Sequence, residues 1–261
     1  MNPPTARVEE IAAKIAELLH VDGHADYPSA LNGLQVEHRG PVRGLAASVD
    51  VSARTIQAAV AAKANLLVVH HGLFWGGLRP LSGALYSRVR LLIEHDIALY
   101  SAHLPLDAHK TFGNSALMAV ELGLHTTAGF GRFQNIECGV RGEDAIETAA
   151  LLERVRRFSQ SHDGTAVSSA VGPNRQTRRW AICSGAGASA STMLEAAQLG
   201  IDTLITGEGP HWSAVDAEEQ GLVIMYAGHY ATETLGVRAL TEHVATLFGL
   251  PWSFLPAPTG L

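Results

Sequence analysis

The chain has 261 residues, 47% of them hydrophobic and 17% charged, which describes a folded globular protein and excludes a disordered or fibrous one. Lys+Arg 19 against Asp+Glu 25 leaves a formal net charge of -6, so no protein-wide basic field exists to concentrate on phosphate backbones or anionic membranes. Only Cys138 and Cys183 are present, too few for a disulfide framework and without CxxC spacing, which points to a reducing, cytoplasmic setting.

The opening MNPPTARVEE has neither the basic region nor the apolar stretch of an export signal. No apolar run approaches the roughly 20 residues of a spanning helix, so neither export nor a membrane partner is expected. After Pro3-Pro4, residues 5–20 place Val8, Ile11, Ile15, Leu18 and Leu19 at helical intervals, with Thr5 and Glu9 supplying cap-like polarity and first-turn negative charge. NGLQVEH, from Asn32 to His38, reads as turn-like at Asn-Gly, and Val42 to Val51 as a strand. Ser52 caps an alanine-rich helix through Lys63, and Leu66-Leu67-Val68-Val69 is the short unbroken apolar run of a buried parallel strand. A helix at about 87–95 and a strand at 97–102 continue the alternation, which makes this half α/β.

Residues 133–171 read as strand, helix (about 144–157) and strand. That helix carries the basic cluster Arg154, Arg156 and Arg157, expected to be a solvated face because no aromatic residues interleave it. Strands follow at 180–184, 203–206 and 222–227, with a helix at 191–199 between the first two and a last helix from about Thr232 to Phe248; the Pro/Gly tail beyond is expected to be loose. The two halves resemble one another. SVDVSARTIQAAVAAKANLLVVHHG aligns with SGAGASASTMLEAAQLGIDTLITGEG, matching Gly72 to Gly209, and YSAH ending at His103 matches YAGH ending at His229. The expected architecture is therefore two related, pseudo-symmetric α/β halves with mainly parallel strands: a first half over 1–130, a short connection over 131–175 and a second half over 176–261, in one compact domain.

Open parallel sheets bind ligands beyond the carboxyl ends of their strands, and the polar residues concentrate there. One strand ends in His70-His71, the next in His103 followed by Asp107, a third in Gly207-Glu208 and a fourth in Gly228-His229. His229 and Glu233, four apart, stack on one helical face. Adjacent His70 and His71 would diverge in a turn leaving the strand, each toward its own ion. Three imidazoles (His70, His71, His229) and two carboxylates (Asp107, Glu233) exceed a closed four-coordinate zinc site and suit two ions about 3.5–4 Å apart. The mixed nitrogen and oxygen donors fit Zn, Fe, Mn or Co. His103 and His109 flank Asp107 and could orient ligands or contact substrate. His20, His24, His38, His95, His125, His162 and His243 carry no functional expectation. No phosphate loop, nucleophile elbow or HExxH helix is present, SGAGAS reads as a tight turn, and Cys183 lacks the neighbouring base of a catalytic thiol.

Taken together, NGLQVEH, VVHHGLFW, SAHLPLDAH, TGEGPHW and AGHYATETLGV resemble the Nif-three-like family of dinuclear-metal proteins, often called GTP cyclohydrolase type 2 homologues. The blocks run from Asn32 to Val237 in the family's order. The resemblance implies the Nif-three-like fold, a ring-like homohexamer, and paired divalent ions on His70, His71, Asp107, His229 and Glu233. It departs from the family in the short 133–171 segment, which leaves little room for the inserted domain of longer members, and in Trp212, which follows His211 where a second histidine is common.

Two functions follow as expectations. In the first, a metal-dependent hydrolase acts on a small molecule such as GTP or another nucleotide, opening the guanine imidazole ring at C8; Glu233 bridges the ions, and His103, His109 or Glu208 shuttles protons. In the second, a metal-stabilised ring binds nucleic acid or a protein partner. The net charge of -6 disfavours nucleic acid as that partner.

Overall fold

The structure, a computed structural model, describes residues 5–261; Met1 to Pro4, with the Pro3-Pro4 pair and the first part of the opening stretch, lie outside that range. Contacts divide the chain into two compact units. The first comprises residues up to Leu106 together with Gly236–Ala257, and the second Asp107–Leu235 with Pro258–Leu261. The 131–175 segment contributes its strands and helix to the second unit.

In the first unit, α1 (Val8–Leu19) buries Val8, Ile11, Ile15 and Leu19, the stripe set by its helical spacing. It begins three residues later than expected. Arg7 is the N-cap, and Glu10 rather than Thr5 or Glu9 closes the turn by accepting from the Arg7 backbone N–H at 3.2 Å and Nε at 3.0 Å. Then come β1 (Gly33–Val36), β2 (Leu45–Asp50), α2 (Ala53–Ala61), β3 (Leu66–His71), α3 (Gly83–Glu94), β4 (Ala98–Ser101) and α4 (Leu104–Asp107), whose last residue opens the second unit. Ser52 caps α2 reciprocally with Thr55, at 2.8 and 3.2 Å.

The second unit continues with α5 (Asn114–Glu121), β5 (Thr126–Phe133), β6 (Ile136–Glu147), α6 (Thr148–Ser161), β7 (Val167–Ser168), β8 (Gln176–Cys183), α7 (Ala190–Leu199), β9 (Thr203–Thr206), α8 (His211–Glu219), β10 (Val223–Tyr226) and α9 (His229–Thr232). Helix α10 (Thr234–Phe248) and β11 (Trp252–Phe254) follow. The tail is thus not loose throughout: β11 pairs in parallel with β2, Trp252 to Leu45 and Phe254 to Ala47, and Leu255 donates to the Ala47 carbonyl at 2.8 Å.

Among the described residues, the first unit holds a five-stranded sheet in the order β1-β4-β3-β2-β11, parallel except for β1. The second holds a six-stranded sheet in the order β5-β6-β8-β9-β10-β7, with a parallel β8-β9-β10 centre and antiparallel edges. Each unit therefore contains the same β-α-β-α-β path, β2-α2-β3-α3-β4 in one and β8-α7-β9-α8-β10 in the other, as the internal sequence match implies. Period-2 alternation on the central strands feeds two faces. Trp180, Ile182, Ile205, Val223 and Met225 enter one core of the second unit, while Ala181, Leu204 and Ile224 enter the other. Both faces are covered, which is why these strands read as unbroken apolar runs. In the first unit Ile56, Leu67, Val69, Leu92 and Leu99 share a core.

The helix expected at 144–157 lies at Thr148–Ser161, because β6 persists through Glu147 in its pairing with β8. Of its arginines, Arg156 and Arg157 are exposed, as a solvated face requires, whereas Arg154 is half-buried and donates to the Leu122 carbonyl at 3.0 Å. Among the described residues no helix is long and apolar enough to cross a membrane.

Candidate metal centre

The first unit gathers three imidazoles. His70 and His71 are the last residues of β3, and they do not sit in a turn: the ladder to β2 runs on, pairing His71 with Asp50. Their rings nevertheless lie 4.8 Å apart at an interplanar angle of 52°, and His103, just past β4, brings its ring to 4.8 Å from His70 and 5.6 Å from His71. The three offer ligand atoms within 4.8 Å of one another.

Each ring is held from behind. His70 Nδ1 faces the Ala102 carbonyl at 2.8 Å, His71 Nδ1 faces Asp50 Oδ1 at 2.9 Å, and His103 Nδ1 faces both Asp26 oxygens at 2.9 and 3.1 Å. A carbonyl or carboxylate oxygen only accepts, so in every case Nδ1 carries a proton, and Nε2 is the nitrogen left to act as a ligand. That is how ligating histidines are oriented.

Asp26, Asp50 and Gln35 stand outside the residues that the sequence singled out. Asp26 also accepts from the Leu104 backbone N–H at 3.0 Å and from Asn32 Nδ2 at 2.7 Å. Burial would raise its carboxyl, but the hydrogen bond and charge of His103, with the Asn32 amide and the Tyr27 N–H, outweigh it and hold Asp26 below the usual carboxylate range. The NGLQVEH block thereby acquires a role. Asn32 Oδ1 accepts from the His103 N–H at 2.7 Å, while the Gln35 amide accepts from the Leu73 N–H and donates to the Leu31 carbonyl, both at 2.8 Å. A Cβ on Gly72 would collide with that amide, which explains glycine after the histidine pair.

The second unit gathers carboxylates around one imidazole. Gly228, at φ 92, turns the chain into α9, and His229 and Glu233 bracket that single turn. His229 Nδ1 lies 2.9 Å from Glu208 Oε1 and Nε2 lies 3.1 Å from Glu233 Oε2, the spacing-of-four contact that the sequence implies. Burial works against a charged imidazole here, yet the hydrogen bonds and charges of Glu233 and Glu208 outweigh it and raise His229 to about 9. Gly185, at φ +60, makes room for this group: a Cβ there would strike Glu233 Oε1 and come within 3.5 Å of His229 Nε2. Asp107 is buried, accepting from Asn114 Nδ2 at 2.8 Å and from the Ser184 hydroxyl at 3.4 Å.

Burial pushes the Cys183 thiol up to about 12, aided by the charges of Asp107, Glu195 and Glu233, so it is no thiolate nucleophile. His109 turns back on its own loop, Nδ1 accepting from the Phe112 N–H at 3.0 Å. His211 starts α8, and Trp212 beside it is half-exposed.

The family model for Duf34/NIF3 (NGG1p interacting factor 3) matches residues 6–256. The chain belongs to that family. It is 42% identical to a GTP cyclohydrolase 1 type 2 homolog of Deinococcus radiodurans over 255 residues, covering 97% of this chain and 94% of the relative. A protein of the same name from Halobacterium salinarum is 40% identical, with 97% and 99% covered. The crystal structure of TTHA1606 from Thermus thermophilus superposes with a TM-score of 0.85 at 34% identity, over 98% of this chain and all of that one. NIF3-family membership and the two-half α/β fold are thus as the sequence motifs imply.

Proposed function

We propose that this NIF3-family protein is a metal-dependent hydrolase that uses two divalent transition ions, with His70, His71, Asp107, His229 and Glu233 as the residues that would bind them. The observation that carries the reading is the protonation pattern: three imidazoles of the first unit each commit Nδ1–H to an oxygen and present Nε2. Imidazoles backed by a carbonyl or by carboxylates, with a buried Glu233 and Asp107 as oxygen donors, are a donor set suited to Zn, Fe, Mn or Co rather than to Mg or Ca.

Such ions would supply a nucleophilic water at neutral pH and stabilise an oxyanion. The chain's own residues do the rest. Asp50 and Glu208 fix the tautomers of His71 and His229 from behind. His103, held by Asp26 through Nδ1, accepts or returns a proton beside the substrate, and Glu208 serves the second unit in the same way. Opening of the guanine imidazole ring of GTP is the version that the relatives' name supports. A composition with only two cysteines, Cys138 and Cys183, supports a cytoplasmic setting, and a homohexamer is the assembly to expect. Light scattering at micromolar concentration checks the latter, a monomer being the contrary outcome.

The test is turnover of GTP and a panel of phosphoesters by protein loaded anaerobically with each metal in turn. Activity that Glu233→Ala and His71→Ala reduce by about 100-fold or more is expected. Inactivity on every substrate together with salt-sensitive oligonucleotide binding would replace this reading with that of a binding ring.

A further inference from the structure

Beyond β3, the stretch from Arg79 to Arg88, at the entry into α3, lines an open pocket of about 320 Å³. Its lining is Arg79, Pro80, Ser82, Ala84, Leu85 and Arg88, two guanidinium groups and a hydroxyl with no carboxylate among them. In a chain with a formal net charge of -6, a cavity walled by two arginines and no acid is a local reversal of sign.

Arg88 is the fixed member of the pair. Its Nη1 donates to the Val51 carbonyl at 3.1 Å, which pins the guanidinium plane, and its Nε is buried with no hydrogen-bond partner among the described residues. The anchored guanidinium keeps its charge fixed on the pocket wall, where an anion would meet it. Arg79 is exposed on the opposite chain segment and folds its guanidinium toward Gly76, so it can swing toward a ligand. The α3 amino terminus adds partial positive charge, but the arginines and the cavity carry the case. Val51 follows Asp50, the residue behind His71, so Arg88 is anchored at the strand-end rim that bears the imidazole cluster, where open α/β sheets take their ligands.

We propose that this cavity is a phosphoryl-binding site, with Arg88 and Arg79 as its two cationic contacts and Ser82 as a neutral donor. Planar guanidinium forks match phosphate oxygens, and the volume accommodates a phosphoryl group with part of the molecule that bears it. The site thus selects phosphorylated small molecules. This refines the substrate class of the proposed hydrolase, and as a binding claim it stands on the first unit alone.

Calorimetric titration of the full chain with inorganic phosphate and pyrophosphate, as purified and again after chelation of metals, tests it. Saturable binding is expected in both preparations, weakened about tenfold or more by Arg79→Ala and by Arg88→Lys, the loss expected of one charge-assisted contact. Arg79 is exposed, so its replacement leaves folding intact and decides the matter if Arg88→Lys does not fold. Binding seen only in metal-loaded protein would assign the anion to the ions and overturn the proposal, as would binding untouched by either substitution or no binding at millimolar phosphate. If chelated protein binds phosphate but no preparation hydrolyses anything, the anion site survives and the hydrolase reading does not.

Discussion

The imidazole cluster of the first unit and the carboxylate cluster of the second solve opposite problems. His70, His71 and His103 turn their Nδ1–H groups to a carbonyl or a carboxylate, so what the group offers is three Nε2 atoms. Around His229 the charge comes first: Glu208 and Glu233 hold the ring from both sides and raise it to about 9, so without an ion the ring is itself the cation that the carboxylates require. One cluster could hold a metal ion by the placement of its imidazoles, the other by its negative charge. The same β-α-β-α-β path delivers both, His71 from the strand after α2 and Glu208 from just past the strand after α7.

That contrast can be broken most severely at the ligands. Glu233→Ala removes a negative charge and an oxygen donor, and His71→Ala removes a lone pair; each is expected to lower metal affinity by at least about 100-fold in chelator competition, beyond the range set by outer partners. The outer partners sharpen the comparison. Asp50→Asn and Asp26→Asn leave every ligand in place but no longer command the Nδ1 proton, and a loss of about 10–100-fold is expected, with ¹⁵N imidazole spectra showing His71 or His103 in mixed tautomers. Unchanged spectra would mean that the carboxylates are bystanders.

Gly185→Ala is the next smaller perturbation. A left-handed alanine against Glu233 costs about 1–3 kcal/mol, read as a lower denaturant midpoint, and it displaces the carboxylate even in protein that still folds. The smallest effect lies away from both clusters. Burial opposes the Asp144 charge, but the His125 ring and N–H and the Trp180 Nε1–H outweigh it and hold the carboxyl below its usual range. A lowered carboxyl stabilises the fold above its unfolded-state value and loses that contribution as pH falls through its own lower one. Asp144→Asn should therefore cost about 1 kcal/mol at pH 7, seen in Trp180 fluorescence melts, and the gap from the parent should close below about pH 4.

Much of this was legible because the central strands are buried on both faces. Leu66 to Val69 and Thr203 to Thr206 read as strands from composition alone, and Ser52 announced its helix. The errors fall where tertiary pairing overrides local chemistry. Asn32-Gly33 reads as a turn, yet Gly33–Val36 is a strand against β4, and a Pro-bounded tail supplies β11 because β2 had an open edge for it. Strand β5 is half polar and glycine-containing, and α8 exposes both Trp212 and Val215, so neither has the period that marks a core-facing element. Among site residues, those in short motifs were visible, as with His229 and Glu233 four apart. Asp26 and Asp50 were not, since their partners stand 77 and 21 residues away and a lone aspartate carries no pattern.

Elemental analysis of protein equilibrated anaerobically with Zn, Fe, Mn or Co bears on the central claim most directly. The arrangement of donors predicts about two ions per chain for at least one of these metals, falling to about one or fewer in Glu233→Ala. Less than one ion per chain with every metal supplied would contradict it.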